Sequence, residues 1–358
     1  MNKILLCLVL LGTFCIPFVQ KSHAQTKIDS LETLLKTAKE DTNKVNILCD
    51  LCRKHSIKDP EKGVGYGIKC LELAKRLEFN KGIAYGLHRL GGAYERQGKF
   101  QEAITNYEES IKIKEELGDA RGISWSLNGI GLVYEIKGDY EMAINYYKQS
   151  IEIMESIKDR KGVASPLMNV GNCYSGLKDY AKALDYHLKA MAVHEEFGNK
   201  QGVAADLNNI GNLYLNQKKY DKALDFFMKS LKIRKEIDDK NSMASCMSNI
   251  AIVHSGLGNE AKALEYYMRS LSIYEELGHK YGVAGTLINI GLRYMDQGNY
   301  KQAIEYQKKS IEIAKEIGMK RMLKSAYKDL AESYAQLNQY KEAYEYHQLY
   351  CETKESIR

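Results

Sequence analysis

The sequence predicts an all-α fold, a solenoid of stacked helix-turn-helix units. Three observations lead there. The chain repeats itself every 40 residues without insertion across most of its length. Prolines number only 3 in 358 residues, as a chain of long helices requires. Apolar residues such as Leu207, Ile210 and Tyr214 recur at the three- and four-residue spacing of a helix face.

The N-terminus stands apart from the repeats. Lys3 precedes an apolar run over residues 4–19 that Pro17 breaks, and Ser22 and Ala24 put small residues where an export peptidase reads. The expectation is a signal peptide over residues 1–24, cleaved after Ala24, and a periplasmic or secreted mature chain. The run is shorter than the roughly 20 apolar residues a membrane span needs. Cleavage removes Lys3 and Lys21 and no acid, so the net charge falls by two from +6 to +4. Lysines and glutamates interleave along the predicted helices, as in Lys112, Lys114, Glu115 and Glu116. That pattern suits a solvated face with local ion pairs and argues against nucleic acid as a partner. Residues 25–41 contain DSLETLLKTAKE, an amphipathic capping helix, and residues 42–81 form a degenerate repeat.

Seven full repeats follow over residues 82–358, and their columns explain how they stack. One column reads Gly91, Gly131, Gly171, Gly211, Ala251, Gly291, Ala331, and another reads Ala103, Ala143, Ala183, Ala223, Ala263, Ala303, Ala343. Glycine within a helix costs about 1 kcal/mol against alanine. Its recurrence implies a close neighbour, and the alanine column is expected to face it. In the 202–241 repeat the first helix is expected over about 204–216 and the second over about Asp221 to Ile237. Gly98, Gly138, Gly258, Gly298 and Asn338 share the break between them, where a left-handed residue closes a helix. Ser110, Ser150, Ser230, Ser270 and Ser310, with Cys70 and Ala190, mark the expected crossing of the next repeat's first helix. The 242–281 repeat departs most, with Ala251, His254 and Glu260 replacing Gly, Tyr and Tyr. A buried Glu260 carries a penalty, so this repeat is expected to be a soft point or a specialised site.

These columns resemble the tetratricopeptide repeat (TPR) family, through Leu207, Gly211, Tyr214, Ala223, Phe227 and Ser230 at that family's spacing. The departure is length, 40 residues against 34, which suggests a longer second helix. Long repeats of this kind are similar to those of kinesin light chain, G-protein-regulator scaffolds and bacterial sensor ectodomains. The resemblance implies a right-handed superhelix whose first helices line a concave groove for a peptide or partner protein. Carried over residue by residue, the groove positions are Trp125, Asn128, Asn169, Asn172, Asn208, Asn209, Asn212, Asn249 and Asn289. Four successive asparagines, 169, 209, 249 and 289, need a reason, because Asn is a poor mid-helix residue. An amide ladder suits a peptide backbone. The alternative is that these amides bond neighbouring helices and set the stack.

No catalytic constellation is present. Cys49, Cys52 and His55 form C-x-x-C-x-x-H, but no second ligand pair has matching spacing, so packing is favoured over metal or haem. The six cysteines after residue 24 are scattered and do not resemble a disulfide framework. His187 and His347 share an aromatic column with Tyr107, Tyr147, Phe227 and Tyr267, and packing is favoured there too. GVGYG at 63–67 lacks the context of a phosphate loop. The expectation is therefore a non-enzymatic interaction scaffold with no cofactor and no metal. The alternatives are a sensor segment of a signal-transduction protein and a non-catalytic subunit of a cell-envelope enzyme complex.

Overall fold

A computed structural model describes residues 23–356. The expected signal peptide lies outside the described residues except for His23 and Ala24, where α1 (His23–Thr37) begins. The described residues hold seventeen α-helices, one 3-10 turn and no strand. The order is α2 (Thr42–Lys58), α3 (Pro60–Arg76), α4 (Asn80–Arg96), α5 (Phe100–Glu116), α6 (Ala120–Lys137) and α7 (Tyr140–Ser156). Then come η1 (Arg160–Val163), α8 (Ala164–Gly176), α9 (Tyr180–Glu196), α10 (Lys200–Asn216), α11 (Tyr220–Glu236) and α12 (Lys240–Gly256). The last are α13 (Glu260–Glu276), α14 (Lys280–Asp296), α15 (Tyr300–Glu316), α16 (Lys320–Gln336) and α17 (Tyr340–Glu355).

The first helix of a repeat starts four residues before its expected position, at Lys200 where 204 was expected. Both helices of that repeat have 17 residues, so the second is not the longer one. The length added relative to the shorter repeat is shared. From α3 onward links of two or three residues join the helices, and one residue of the link is left-handed every 20 residues from Glu78 to Asn338. Glycine fills eight of these positions, and Glu78, Lys158, Lys178, Lys218, Asp238 and Asn338 fill the rest. At Gly98 the amide bonds Glu95 C=O at 2.9 Å and the next amide, of Lys99, bonds Tyr94 C=O at 2.9 Å. This paired closure satisfies carbonyls that a helix end leaves open. The residue after it caps the next helix in many links: the Asp139 carboxylate accepts from the Met142 amide at 3.2 Å and Asp179 does so from Lys182 at 3.2 Å.

The chain divides into two compact units at residues 133 and 134. In the first, Val45, Leu48, Cys49, Cys70, Leu73 and Ala74 form a core between α2 and α3. The second unit is a run of hairpins whose cores are built alike, one around Tyr147, Met154 and Val170 and another around Tyr267, Leu287 and Ile290. The serine column is tied to its own repeat. Ser230 Oγ donates to Ala204 C=O at 2.7 Å, Ser270 to Ala244 at 2.8 Å and Ser310 to Ala284 at 2.9 Å. The serines thus latch the two helices of one hairpin, as well as leaving room for a following helix.

A non-glycine residue in the left-handed region costs about 1 kcal/mol or more. Lys218→Gly is therefore expected to raise stability by about 0.5–1 kcal/mol, since the position is exposed and loses no contact. Chemical denaturation of the two proteins would check it; an unchanged or lower midpoint contradicts this account of the link.

Candidate binding face

Within the second unit, first helices of successive repeats touch: α8 meets α10, α10 meets α12, and α14 meets α16. In the first unit α2 likewise meets α4. Successive second helices are not in comparable contact, so the first helices line the inner side of each stack. Asn169, Asn172, Asn208, Asn209, Asn212, Asn249 and Asn289 all sit on these first helices and all are half-buried. Asn249 Nδ2 donates to Asn208 Oδ1 at 3.2 Å, a bond from one repeat to the next. That pair belongs to the stacking alternative. Asn172, Asn209, Asn212 and Asn289 have no hydrogen-bond partner among the described residues. Asn128 is half-buried on α6, and Trp125 on the same helix is 42% exposed with its ring edge-on to Tyr85, centroids 6.4 Å apart.

The glycine column beneath this face is occupied by rings more than by alanines. A Cβ at Gly211 would lie 2.7 Å from the Phe227 ring, one at Gly171 would lie 2.9 Å from His187, and one at Gly91 would lie 3.0 Å from Tyr107. The expected alanine neighbour contributes its carbonyl, Ala103 O being 3.2 Å from the same point at Gly91. The tips of the tyrosine rings Tyr107 and Tyr147 are matched by the residue twelve earlier. Tyr147 OH donates to Glu135 at 2.7 Å and Tyr107 OH approaches Glu95 at 3.3 Å, whereas apolar Phe227 has Leu215 at that place. Burial raises both carboxyls above their ordinary range. At the far edge of each hairpin Tyr174 stacks on Tyr186, Tyr214 on Phe226 and Tyr294 on Tyr306, at centroid distances of 5.4–5.5 Å.

Sequence reasoning missed a set of buried polar junctions between repeats. Lys114, fully buried, donates from Nζ to Gly122 C=O at 3.0 Å and to Ser126 Oγ at 2.9 Å; burial lowers its pKa to about 8. In the same columns His194 Nδ1 lies 2.7 Å from Asp206 Oδ2. Arg234 occupies the Lys114 column but bonds within its own repeat, its Nε donating to Ser230 Oγ at 3.0 Å. The signal available in the sequence was the pairing of columns twelve apart: Lys114 with Ser126, Met154 with Pro166, His194 with Asp206. Asp329 closes the column that holds the asparagine ladder. It is buried, and desolvation raises its pKa to about 6 against the smaller opposing pull of Lys328.

The 242–281 repeat is partly compensated. His254 stacks on Tyr266 at 5.5 Å, as tyrosine does in other repeats. Glu260 Oε1 accepts from Ser255 Oγ at 3.0 Å and lies 3.6 Å from the guanidinium of Arg293 in the following repeat. Glu260 Oε2 and His254 Nδ1 are buried without a hydrogen-bond partner among the described residues, so part of the expected burial penalty remains in this repeat.

Cavities lie where they were not expected. In the first unit Arg53, His88, Arg89 and Arg96 line one of about 200 Å³, and Asn46, Cys49, Tyr85 and Arg89 line another of about 400 Å³. In the second unit a cleft of about 850 Å³ opens between the second helices α7 and α9, floored by Ile151, Val163, Leu167 and Val193. Pro166 explains its place. It lacks the amide that α-helical bonding back to Gly162 requires, and the start of that first helix becomes the turn η1 beside the cleft. In the C-x-x-C-x-x-H motif, His55 Nε2 pairs with Glu32 at 3.0 Å and its ring stacks on Tyr66, away from the thiols. Among the described residues no group of His, Cys, Asp and Glu is arranged to hold a metal.

The tetratricopeptide repeat model matches residues 82–156, 162–236, 202–276 and 282–356. The chain belongs to the tetratricopeptide repeat family. No curated protein matches it by sequence. Similar solved structures share the fold of this TPR protein at low identity. The apo quorum sensor NprR from B. thuringiensis has a TM-score of 0.64 at 17% identity, covering 92% of this chain and 98% of that one. A Rap protein complexed with competence and sporulation factor gives 0.56 at 15%, covering 88% and 99%. A STAND signal transduction ATPase with a tetratricopeptide repeat sensor, from Pyrococcus horikoshii, gives 0.61 at 18%, covering 94% of this chain and 54% of that one. The helical hairpins that stack in this chain are therefore a TPR scaffold.

Two outcomes test the geometry. Gly211→Ala is expected to destabilise the protein by about 1–3 kcal/mol, because the Phe227 ring is fully buried and must shift; an unchanged melting transition contradicts the seam. For Asp329, a raised pKa in the folded state favours folding at low pH, and that favour is lost as pH rises through about 6. Asp329→Asn is expected to stabilise the protein at pH 7, on the order of 2 kcal/mol, with little difference at pH 4. Denaturation midpoints measured across that range would show it, and equal effects at both values would refute it.

Proposed function

We propose that this chain is an exported interaction scaffold that holds an extended peptide or partner segment along the inner, first-helix face of its stack. One observation carries the reading. Asn172, Asn209, Asn212 and Asn289 present amides on that face that the protein's own packing leaves without hydrogen-bond partners among the described residues. These amide groups are not among the side-chain atoms buried without a partner, so they stay open to water and can exchange it for the bonds of a ligand. Each amide offers two donors and an acceptor, and successive copies recur once per repeat. A peptide backbone, with its alternating N–H and C=O groups, has the complementary chemistry. Asn208 and Asn249 set the register of neighbouring repeats through their mutual bond. The Rap structure holding competence and sporulation factor supports ligand capture by a stack of this kind. Export rests on the N-terminal sequence, Lys3 followed by the apolar run and the small residues at 22 and 24.

The test uses residues 25–358 as bait against a library of unstructured peptides, followed by titration of the enriched sequences. Asn209, Asn212 and Asn289 changed together to Ala are expected to weaken binding at least tenfold with helical content unchanged. Asn208 and Asn249 changed together are expected to lower the melting temperature instead. Undiminished peptide affinity in the first variant would defeat the proposal.

A further inference from the structure

We propose that Cys49 and Cys70 form a disulfide that staples the first hairpin of the array. Cys49 lies on α2 and Cys70 on the facing helix α3, and their Sγ atoms are 2.7 Å apart. Non-bonded heavy atoms settle at roughly 3.5–4 Å, so the two sulfurs already stand closer than packing alone would place them. Both belong to the core that joins α2 to α3, with Val45, Leu48, Leu73 and Ala74 around them. Facing side chains brought together across a hairpin satisfy the steric requirement that defeats a bridge between Cys49 and Cys52, three residues apart on one helix.

The position is also unlike its counterparts elsewhere in the chain. Where other repeats have Ser110, Ser230, Ser270 or Ser310 latching to a backbone carbonyl, this hairpin has Cys70, whose Sγ also reaches the Val45 C=O, at 3.5 Å. Where later repeats have Asn169, Asn209, Asn249 or Asn289, it has Cys49. Two columns that carry hydrogen-bonding residues elsewhere both become cysteine in the same repeat. Three further cysteines are buried: Cys52 beside the pair on α2, and Cys173 and Cys246, which contact Glu135 and the Phe227 carbonyl.

Chemistry and access are consistent. Cys49 lines the cavity of about 400 Å³ between α2 and α4, so a reagent has a way to its sulfur, while Cys70 lies behind it and is fully buried. The oxidant is a disulfide, either a small molecule or a dithiol–disulfide oxidoreductase. Cys49 sulfur attacks one sulfur of that disulfide; the old S–S bond breaks, a mixed disulfide forms, and one thiol leaves carrying the Cys49 proton. Cys70 sulfur then attacks Cys49 sulfur of the mixed disulfide and displaces the second thiol, which takes the Cys70 proton. Two protein thiols are oxidised and one disulfide is reduced to two thiols. The contact with Cys49, and then burial, hold the Cys70 thiol far above its usual range, so the second step belongs to the opening or folding hairpin and not to the closed one. The staple would hold the wall of the cavity that Tyr85 and Arg89 share with Cys49.

The experiment refolds residues 25–358 with oxidised glutathione, denatures without reductant, alkylates free thiols and measures the intact mass. The chain has six cysteines after residue 24, Cys49, Cys52, Cys70, Cys173, Cys246 and Cys351. The expected result is alkylation of the four outside the pair, and a tryptic peptide 45–53 joined to peptide 70–75. Peptide 45–53 also contains Cys52, so the variants decide. Cys52→Ser should keep the joined peptides, whereas Cys49→Ser and Cys70→Ser should each lose them. Full alkylation of the wild-type chain overturns the proposal, and so does a link that survives Cys49→Ser but not Cys52→Ser. Because the readout is a covalent mass taken after denaturation, a variant that folds poorly does not blur the wild-type result.

Discussion

The architecture depends on where each helix stops. From α3 onward a left-handed residue every 20 positions closes successive helices, and the closure satisfies the last carbonyls through paired bonds such as those at Gly98 and Lys99. Because the beat is constant, side chains 40 apart recur at equivalent places, and a column in the sequence becomes a line of contacts in space. One added residue in a single link would rotate the next helix by about 100° and turn its apolar stripe away from the stack. Six of the links achieve the left-handed geometry without glycine, which shows that the surrounding helices impose the conformation on residues that disfavour it.

Within that frame, two kinds of contact divide the work. Rings seated on glycines, such as Phe227 on Gly211, set how closely the helices of one hairpin approach. Buried pairs twelve residues apart, such as Lys114 with Ser126 and His194 with Asp206, join one hairpin to the next. The first kind is nearly uniform along the chain. The second differs at every junction. Buried polar pairs add little net stability against well-packed apolar substitutes, so their role here is to match particular neighbours. Each junction is chemically distinct, and a repeat placed beside the wrong neighbour would bury an unmatched group.

Much of this was legible in the sequence, because repetition averages out local ambiguity. The helical class, the small-residue seams and the left-handed position at Gly98 and its equivalents follow from columns that recur many times. The 20-residue beat did not emerge, because first and second helices carry different residues and share only their ends. Lys114, Arg234 and Asp329 were invisible as interior groups, since a charged residue on a helix ordinarily faces water. The Glu260–Arg293 pair spans two repeats, and neither residue alone announces the other. The cleft between α7 and α9 had a signal in Pro166, the only proline in the tandem array, but its consequence for the neighbouring second helices needed coordinates. On the inner face the asparagine positions were correctly placed on first helices, while the bond that sets Asn208 and Asn249 apart from the rest depends on side-chain reach.

The pairing of Glu260 with Arg293 bears on how such an array can change over generations. Tandem copies invite unequal crossing-over, and losing or gaining one whole 40-residue block preserves the helical phase. A breakpoint between positions 260 and 293 is different, because it hands one half of an ion pair to a neighbour that has Val133, Cys173, Leu213 or Val253 where the arginine stood. Those two residues must be inherited together, and that linkage restricts where this stretch of the array can be shuffled.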